Sequence, residues 1–509
     1  MLHHKATTRF ILKRLTDVIE LLFSIRQGDP LAMILYILYM EPFLVALEAE
    51  LTGYTLGEQN QIGKFQQKIE AFCDDVNAVT NDLNDFYIID EVVSKFEICS
   101  GAILSRNMKC KVVGFGAWRD KQVWPIRWIR AVREVKMFGI YICNSYREII
   151  RLNWEHRYVK FSETVYSWKS RFLESLSQRV EVLRIFALSR VFYVAAILPI
   201  RKTMVKRFET LMGKFLWNFS GKVLRVSLED LKNTKMAGGL NLPCLSKMSE
   251  SLLVSQCIKL IRSGYKRSKC HLDYWLGDLT GSLSHNIEAE TVAHLTPSYF
   301  ECIGILLADL MVADILNSRT LLTITNKSIY RSFLADLPLP KVVRDSGRDY
   351  SRVWVNLHSK VVDSKSRDLL FLLLHNKLPV PERLFRINLK ADPYCEVCAG
   401  AEIADITHFF CTCLRTSELW TWLKKKVSSW TTPTLGNLPD FDVLNLLIAS
   451  NSHEKEIVWL VSNYVSFTWE TIEGGVSVCL EKFFGFLTFK YREVTSDSYV
   501  KLQGLDEFR

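Results

Sequence analysis

The pattern of apolar and polar positions divides the chain into a mixed N-terminal part and a longer, helical remainder. Leu31–Leu51 is a nearly continuous apolar run that predicts a buried helix, and two short apolar runs flank Asp74-Asp75 as the strands of a tight hairpin. The elements predicted next are a helix over Asp85–Cys99, a turn at Ser100-Gly101, a strand over Cys110–Gly114 and a hairpin around Gly139. Residues 26–145 thus predict an α+β unit with a small antiparallel sheet.

Helical periodicity dominates from residue 146 to residue 270, as in the series Leu173, Leu176, Val180, Leu183 and Ala187. Residues 271–390 are also predicted to be mostly helical, with breaks at Pro338-Leu339-Pro340, Pro379 and Pro381. Residues 391–426 form a compact Cys/His unit, and residues 427–509 are apolar and aromatic with few motifs. The predicted class is α+β, mostly α.

The composition narrows the classes of protein to which the chain can belong. The 509 residues are 49% hydrophobic and 12% aromatic, which is typical of a globular chain of two to four domains and excludes a disordered or fibrous protein. The run Leu31–Met40 ends at Glu41-Pro42, so no membrane span and no membrane partner are predicted. A signal-peptide core is lacking before Glu20, so we expect residence in the nucleus, the cytoplasm or both, not secretion.

The positive charge of the chain is concentrated in one stretch. Residues 101–270 hold 33 Lys and Arg against 11 Asp and Glu, a net charge of +22, whereas the whole chain carries +10. Tryptophans are interleaved with these cations, at positions 118, 124, 128, 154, 168 and 217. Solvated helix faces with core tryptophans would also produce this pattern, but an asymmetry of this size favours a nucleic-acid partner.

Four residues near the C-terminus have the spacing of zinc ligands. Cys395 and Cys398 are followed by His408 and by either Cys411 or Cys413. Three thiolates and one imidazole complete a tetrahedral shell, which leaves no open position for catalysis and suits a structural Zn²⁺. The alternative is a set of unrelated reduced cysteines. The chain has 13 cysteines, an odd number, scattered through apolar segments, so a secreted disulfide framework is not predicted.

The adjacent carboxylates Asp74 and Asp75 are the candidate catalytic feature. Like charges side by side repel each other, and a divalent metal between them would remove that cost. Magnesium binds through one or two carboxylates together with substrate phosphates, and two such ions can promote an in-line phosphoryl transfer. A solvated turn is the alternative, because Asp also favours turns.

The order of these features resembles the palm of reverse transcriptases of LINE-type (non-LTR) retrotransposons. The resemblance starts with Arg-Gln-Gly-Asp-Pro-Leu at 26–31, a helix and the Phe-Cys-Asp-Asp hairpin. It continues in family order over residues 24–425, through Ser100–Lys109, a primer-grip-like hairpin at Val135–Ile140, Gly238-Gly239-Leu240-Asn241-Leu242-Pro243 and Leu374-His375-Asn376-Lys377-Leu378-Pro379. The family pattern also favours Cys413 over Cys411 as the last zinc ligand.

The resemblance implies a division into five parts. These are a partial palm (1–145), a basic helical thumb and extension (146–270), a mostly helical linker (271–390), a Cys3His zinc unit (391–426) and a C-terminal region of unknown role (427–509). It implies RNA-directed DNA synthesis with Mg²⁺ at Asp74 and Asp75 and with Lys109 near the triphosphate. Arg26, Gln27 and Gly28 would contact nucleotide or template. The implied partners are an RNA template, a DNA primer or target DNA, and deoxynucleotide triphosphates.

The sequence departs from the family at the catalytic site. Family members carry a further metal-binding aspartate well before the Gln-Gly turn, and Asp17, ten residues before Gln27 on an apparent helix, is too close to be that ligand. The residue before the Asp pair is Cys73 instead of the usual Ala. We therefore expect an N-terminally truncated, inactive polymerase. Two alternatives are a domesticated nucleic-acid-binding protein and a zinc-dependent interaction module.

Overall fold

The structure is a computed structural model, and its described residues form two compact units. One unit comprises residues 1–155 and 257–323, and the other comprises residues 156–256 and 324–509. The described residues are 31–56, 65–73, 75–106, 110–171, 173, 175–218, 226–263, 266–284, 296–398, 400, 402–431, 438–447, 452–498, 502–505 and 508, with the backbone of 6–8, 11–12, 14–15 and 19–21. The chain is mostly helical with small two-stranded sheets, so the predicted α+β, mostly α class is confirmed.

The strands found among the described residues all lie in the first unit. Its helices are Ala32–Glu50, Asn84–Ser100, Lys266–Ser284 and Ser298–Val312, with a 3-10 turn at Gly116–Trp118. Five strand pairs are antiparallel, namely Ala6–Thr8 with Ile19–Leu21, Ile11–Leu12 with Arg14–Leu15, Tyr54–Leu56 with Phe65–Gln67, Ile69–Phe72 with Asp75–Ala78, and Glu134–Met137 with Ile140–Cys143. The pair Lys111–Val112 with Arg130–Ala131 is parallel, which the antiparallel pattern did not predict.

Two hairpins of this unit approach each other at their tips. In the first, Phe72 is paired with Asp75 across the turn. In the second, Phe138 and Gly139 form the turn with positive φ angles of 47° and 83°. The rings of Phe72 and Phe138 meet edge to face with their centroids 6.3 Å apart. The aspartate hairpin therefore contacts the hairpin that resembles a primer grip.

The prediction of a buried helix over Leu31–Leu51 is correct for the helix and wrong for its burial. The helix Ala32–Glu50 forms, but its first turns are exposed, with Met33 at 68% and Leu38 at 64% of their full accessibility. The helix is apolar around its whole circumference, but the elements that pack against it, Asn84–Ser100 and Ile69–Phe72, cover only one side. Its other apolar side chains are therefore left exposed.

The same helix also continues through Pro42, which was expected to end the apolar run. Proline removes only one backbone hydrogen bond in such a helix and its apolar neighbours still pack. By length and composition this helix could cross a membrane, with a mean hydropathy of 1.6, a test that core helices of soluble proteins also pass; it is the one such helix in the described part of the chain.

The core of the first unit forms where these helices meet the hairpins. Leu47, Leu51, Ile69 and Val92 are buried together. Both the N–H and the hydroxyl of Thr52 donate to buried Asp85, at 2.9 and 2.6 Å. This satisfies a carboxylate that burial would otherwise destabilise.

The second unit is helical. The helices Tyr146–Ser167 and Leu245–Ser263 run across the division between units. The helices inside it are Leu176–Val182, Ser189–Ala195, Lys202–Leu216, Leu228–Lys232, Asn326–Leu334, Lys341–Ser346, Ser351–Leu357, Ser364–Leu374, Pro381–Arg386, Ser417–Trp430, Asp440–Leu444, Glu454–Glu473 and Leu480–Ser498, with a 3-10 turn at Lys235–Ala237 and single π turns at Leu183–Ala187 and His408–Thr412.

A helix from the motif-poor C-terminal stretch forms the centre of this unit. Every residue from 456 to 469 is buried within the helix Glu454–Glu473. It packs against Ser364–Leu374, Ser417–Trp430 and Leu480–Ser498. Residues 427–509, to which the sequence assigned no role, therefore supply much of the apolar core.

Candidate metal centre and basic surface

A short loop shapes the Cys-x-x-Cys turn. The N–H of Cys395 donates to the carbonyl of Glu402 at 3.0 Å, and the N–H of Gly400 donates back to the carbonyl of Cys395 at 3.0 Å. An isolated β-bridge between Tyr394 and Ile403 closes the loop. These backbone bonds bring the side chains of Cys395 and Cys398 to one side of the turn.

The structure brings Cys395, Cys398, His408 and Cys413 together, with their ligand atoms all within 4.8 Å of one another. The Sγ atom of Cys413 lies 3.8 Å from Sγ of Cys395 and 4.0 Å from Sγ of Cys398, and Nε2 of His408 lies 3.6 Å from Sγ of Cys398. Zinc–sulfur bonds of about 2.3 Å place the corners of a tetrahedron about 3.8 Å apart. The spacing of the four ligands therefore fits one tetrahedral zinc ion.

His408 is oriented by its other ring nitrogen. Its Nδ1 lies 2.6 Å from Oε2 of Glu402 and 3.1 Å from the hydroxyl of Thr412, which leaves Nε2 to face the three sulfurs. A carboxylate that accepts from the distal N–H of a metal-binding histidine fixes its tautomer and its ring orientation. Sequence reasoning missed Glu402, although it is the acidic residue between Cys398 and His408 that lies nearest to the Cys-x-x-Cys turn in sequence.

The spacing between His408 and Cys413 is produced by a single wide turn. The N–H of Cys413 donates to the carbonyl of His408 at 2.9 Å, across the π turn His408–Thr412. The side chain of Asp405 accepts from the N–H of His408 at 2.7 Å and so satisfies the start of the turn. Cys411 is buried, and it is not among the four converging residues.

The thiols of this cluster shift in opposite directions. Burial raises the pKa of Cys395, but hydrogen bonds with His408 and with the backbone of the turn outweigh it and lower that pKa to about 7. Burial raises the pKa of Cys413 to about 12, and the neighbouring Cys395 thiol adds to that rise. Zinc binds the thiolate form and displaces these protons, so metal binding would offset the cost of gathering the sulfurs.

The metal centre is packed directly against the central helix of the unit. The ring of Phe409, which follows His408, lies 5.4 Å from that of Trp469, and Phe410 stacks on the same tryptophan at 6.4 Å. The hydroxyl of Tyr464 donates to the carbonyl of Phe410. The ligand segment is thus joined to a buried helix more than 40 residues away.

A basic surface lies on helices of the same unit. Residues 156–217 contain 12 Lys and Arg against 4 Asp and Glu. On the helix Lys202–Leu216, one face buries Met204, Phe208, Leu211, Met212 and Phe215. The opposite face exposes Lys202, Lys206, Arg207 and Lys214. The amphipathic pattern of this helix therefore directs its cations to solvent.

Guanidinium groups stack on aromatic rings near these lysines. Arg207 lies 4.4 Å from the ring centroid of Tyr158, and Arg171 lies 4.4 Å from that of Trp168. Tyr166 and Tyr193 are about half exposed, at 53% and 47%. Exposed rings beside cations are the combination that contacts bases and phosphates of nucleic acids.

Residues 327–420, which include all four converging residues, match the family described as zinc-binding in reverse transcriptase. The chain is also similar to the Transposon TX1 uncharacterized 149 kDa protein of Xenopus laevis, with 27% identity over 209 residues. That match covers 38% of this chain and 15% of the relative. The chain is related to the reverse transcriptases of non-LTR retrotransposons.

The palm-like residues of this reverse-transcriptase-related chain are described only in part. Asp75 is exposed at the first position of the second hairpin strand, as the predicted turn requires. The other predicted palm residues lie outside the described residues, namely Arg26, Gln27, Gly28, Asp74 and Lys109. The magnesium site therefore stays a prediction.

Proposed function

We propose that this chain binds RNA and DNA as a reverse-transcriptase-related protein of a non-LTR retrotransposon, and that the basic surface of residues 156–217 contacts their phosphates. The observation that carries this proposal is the exposed face of the helix Lys202–Leu216, which presents Lys202, Lys206, Arg207 and Lys214 to solvent. Lysines and arginines that neutralise phosphates release counterions, and that release drives binding.

Exposed aromatic residues support contacts with single-stranded or unstacked bases. Tyr166 and Tyr193 offer exposed rings on the same helical region, and rings of this kind stack on bases without regard to sequence. An RNA template paired with a DNA primer, which the family resemblance implies, would offer both phosphates and stacked bases.

The zinc centre has a structural role in this proposal. Its four ligands leave no position for substrate, and its segment packs against the buried helix Glu454–Glu473. Zinc would therefore stabilise the unit that carries the basic surface.

The proposal also includes polymerase chemistry at the aspartate hairpin. Mg²⁺ at Asp74 and Asp75 would face the incoming deoxynucleotide triphosphate, and the contact of Phe72 with Phe138 supports this arrangement because it joins the aspartate hairpin to the hairpin that resembles a primer grip. The alternative, a nucleic-acid-binding protein without polymerase chemistry, needs the basic surface and the zinc centre alone.

Binding of a fluorescein-labelled RNA–DNA hybrid to the full chain tests the proposal. Fluorescence anisotropy is expected to show binding at low salt that weakens steeply between about 50 and about 200 mM salt. The triple variant Lys202→Gln, Lys206→Gln, Lys214→Gln is expected to bind at least tenfold more weakly and with a shallower salt slope, by roughly one unit per lost phosphate contact.

The matched control removes the same charge elsewhere in the second unit. Lys327, Lys360 and Lys455 are exposed lysines outside the basic surface, and their triple change to Gln is expected to leave the salt slope unchanged. Equal weakening in both triple variants would show that only net charge matters, and absence of binding by the wild-type chain at low salt would refute the proposal.

A further inference from the structure

A second group of cations lies within the zinc-binding region, away from the helix Lys202–Leu216 in sequence. Lys377 follows the helix Ser364–Leu374, Arg383 and Arg386 belong to the short helix Pro381–Arg386, and Lys341 begins another. Burial lowers the pKa of Lys377, and the positive charges of Arg383 and Lys341 lower it further. The geometry agrees, since the Nη1 of Arg383 reaches the carbonyl of Asn376, the residue directly before Lys377, at 3.3 Å.

Several donors of this group have no acceptor among the residues that the structure describes. The Nε of Arg383 is buried and has no hydrogen-bond partner, while its Nη1 donates to the carbonyl of Asn376 at 3.3 Å. The ammonium groups of Lys377 and Lys341 have no hydrogen bond or ion pair among the residues that the structure describes. A buried donor without a partner is uncommon in native proteins, so the protein by itself does not fully satisfy this guanidinium.

The nearby carboxylates do not balance these charges. Arg386 is held by Glu382 through an ion pair of 2.7 Å, and Glu382 also acts on Arg383. Asp230 attracts Lys377, but it is buried and its Oδ1 already accepts the backbone N–H of Lys341 at 3.3 Å. Four cations therefore share two carboxylates, which leaves an excess of positive charge around the half-buried Lys377 and Arg383, while Lys341 and Arg386 are exposed.

We infer that Lys377 and Arg383, with Lys341 beside them, bind a phosphate of a nucleic-acid backbone. A phosphate oxygen would accept from a terminal nitrogen of the Arg383 guanidinium, whose donors form a fork that matches phosphate, and a second oxygen would accept from the Lys377 ammonium. The inference rests on the proposed function for the source of the phosphate, and it adds a contact in the zinc-binding region to those of the basic surface.

The double variant Lys377→Gln, Arg383→Gln of the full chain tests this contact. With the labelled RNA–DNA hybrid, it is expected to bind roughly tenfold more weakly and to lose about one unit of salt slope, as for one neutralised phosphate. The single variant Lys377→Gln is expected to show part of this loss. Zinc content and the melting temperature report whether each variant is folded, and the single variant keeps the test decisive if the double variant is not.

The matched control is the double variant Lys327→Gln, Lys360→Gln, which removes the same charge from two exposed lysines of the zinc-binding region. A salt slope that falls equally in both double variants would overturn the inference. If the Lys202, Lys206 and Lys214 variant weakens binding and the Lys377 and Arg383 variant does not, the proposed function stands and this inference fails.

A third measurement separates the two sources of phosphate. If inorganic phosphate raises the melting temperature of the wild-type chain but not of the Lys377 and Arg383 variant, and both bind the hybrid equally, the site takes free phosphate and the inference is overturned. Absence of hybrid binding by the wild-type chain would refute the proposed function and, with it, this inference.

Discussion

The Nε2 of His375 lies 2.9 Å from the carbonyl oxygen of Gly238 and joins two segments 137 residues apart in the chain. His375 is buried, stacked on Trp354 at 5.5 Å and tilted against Phe371 at 4.4 Å. Gly238 has a φ of +85°, and a side chain there would come within 2.5 Å of Trp354. Both segments resemble family motifs. In the structure they have one physical role, since their contact holds the zinc-binding region of residues 327–420 against the segment that contains Gly238.

Removing this contact is expected to destabilise the second unit. The substitution His375→Ala removes a buried hydrogen bond and leaves a cavity beside Trp354, at a cost of about 2 to 4 kcal/mol in the free energy of unfolding. Urea unfolding of the full chain measures this, with His453→Ala as the control, since His453 is only partly buried. Equal stability of the His375→Ala and His453→Ala variants would contradict the docking role.

Acid is expected to weaken the same contact. Burial lowers the pKa of His375 to about 4, and the Gly238 carbonyl and Asp230 offset only part of that effect. The unfolded chain takes up this proton near pH 6.5 and the folded chain does not, so stability is fully present above about 6.5 and falls toward pH 4, by about 3 kcal/mol in all. Unfolding of the His375→Gln variant is expected to depend less on pH over that range. Parallel pH profiles for the two proteins would contradict this assignment.

Substitution of a zinc ligand is expected to affect zinc binding far more than substitution of the neighbouring Cys411. Cys398→Ala removes one of the four converging residues, so purified protein is expected to lose zinc and to become sensitive to protease around residues 391–426. Cys411→Ala, which changes a buried cysteine outside the cluster, is expected to retain zinc. Metal analysis and limited proteolysis of both variants measure this. Zinc loss from the Cys411→Ala variant would contradict the assignment of Cys413, and not Cys411, as the fourth ligand.

Glu402 is expected to tune the metal centre without binding the metal. The substitution Glu402→Gln weakens the acceptor for Nδ1 of His408, so zinc affinity is expected to fall by roughly tenfold while the protein remains folded with zinc in excess. Competition with a chromophoric chelator measures the affinity. Glu396→Gln is the control, since Glu396 pairs with Lys390 and not with a ligand.

A polypeptide of these 509 residues is expected not to extend a primer. Asp74 and Asp75 supply two adjacent carboxylates, which are only part of the ligand set that two-metal phosphoryl transfer uses. Primer extension on an RNA template with Mg²⁺ or Mn²⁺ tests this. Robust extension that is abolished by Asp74→Ala would show that another residue completes the site and would overturn the expectation.

Local pattern determined most of the elements, but it was wrong near Asp17, where a helix was expected and the strands Arg14–Leu15 and Ile19–Leu21 form on either side. The hairpin of Ile69–Phe72 and Asp75–Ala78, the helix that ends at the left-handed Gly101 and the helices of residues 146–217 all follow from short-range periodicity and turn chemistry. The spacing of Cys395, Cys398, His408 and Cys413 likewise needs only a turn and one wide helical turn to become a cluster, so it was visible in the sequence.

Tertiary packing decided what those elements touch. The uniformly apolar helix Ala32–Glu50 looked the more buried of the two in sequence, yet its first turns are exposed while residues 456 to 469 of Glu454–Glu473 are all buried, because burial depends on which other elements cover a helix. The contact of His375 with Gly238 and the gathering of Lys377, Arg383 and Lys341 have the same origin. The sequence determines the chemistry of each side chain. Which residues it contacts depends on how distant segments pack into one core, where a polar group without a partner carries the largest free-energy cost.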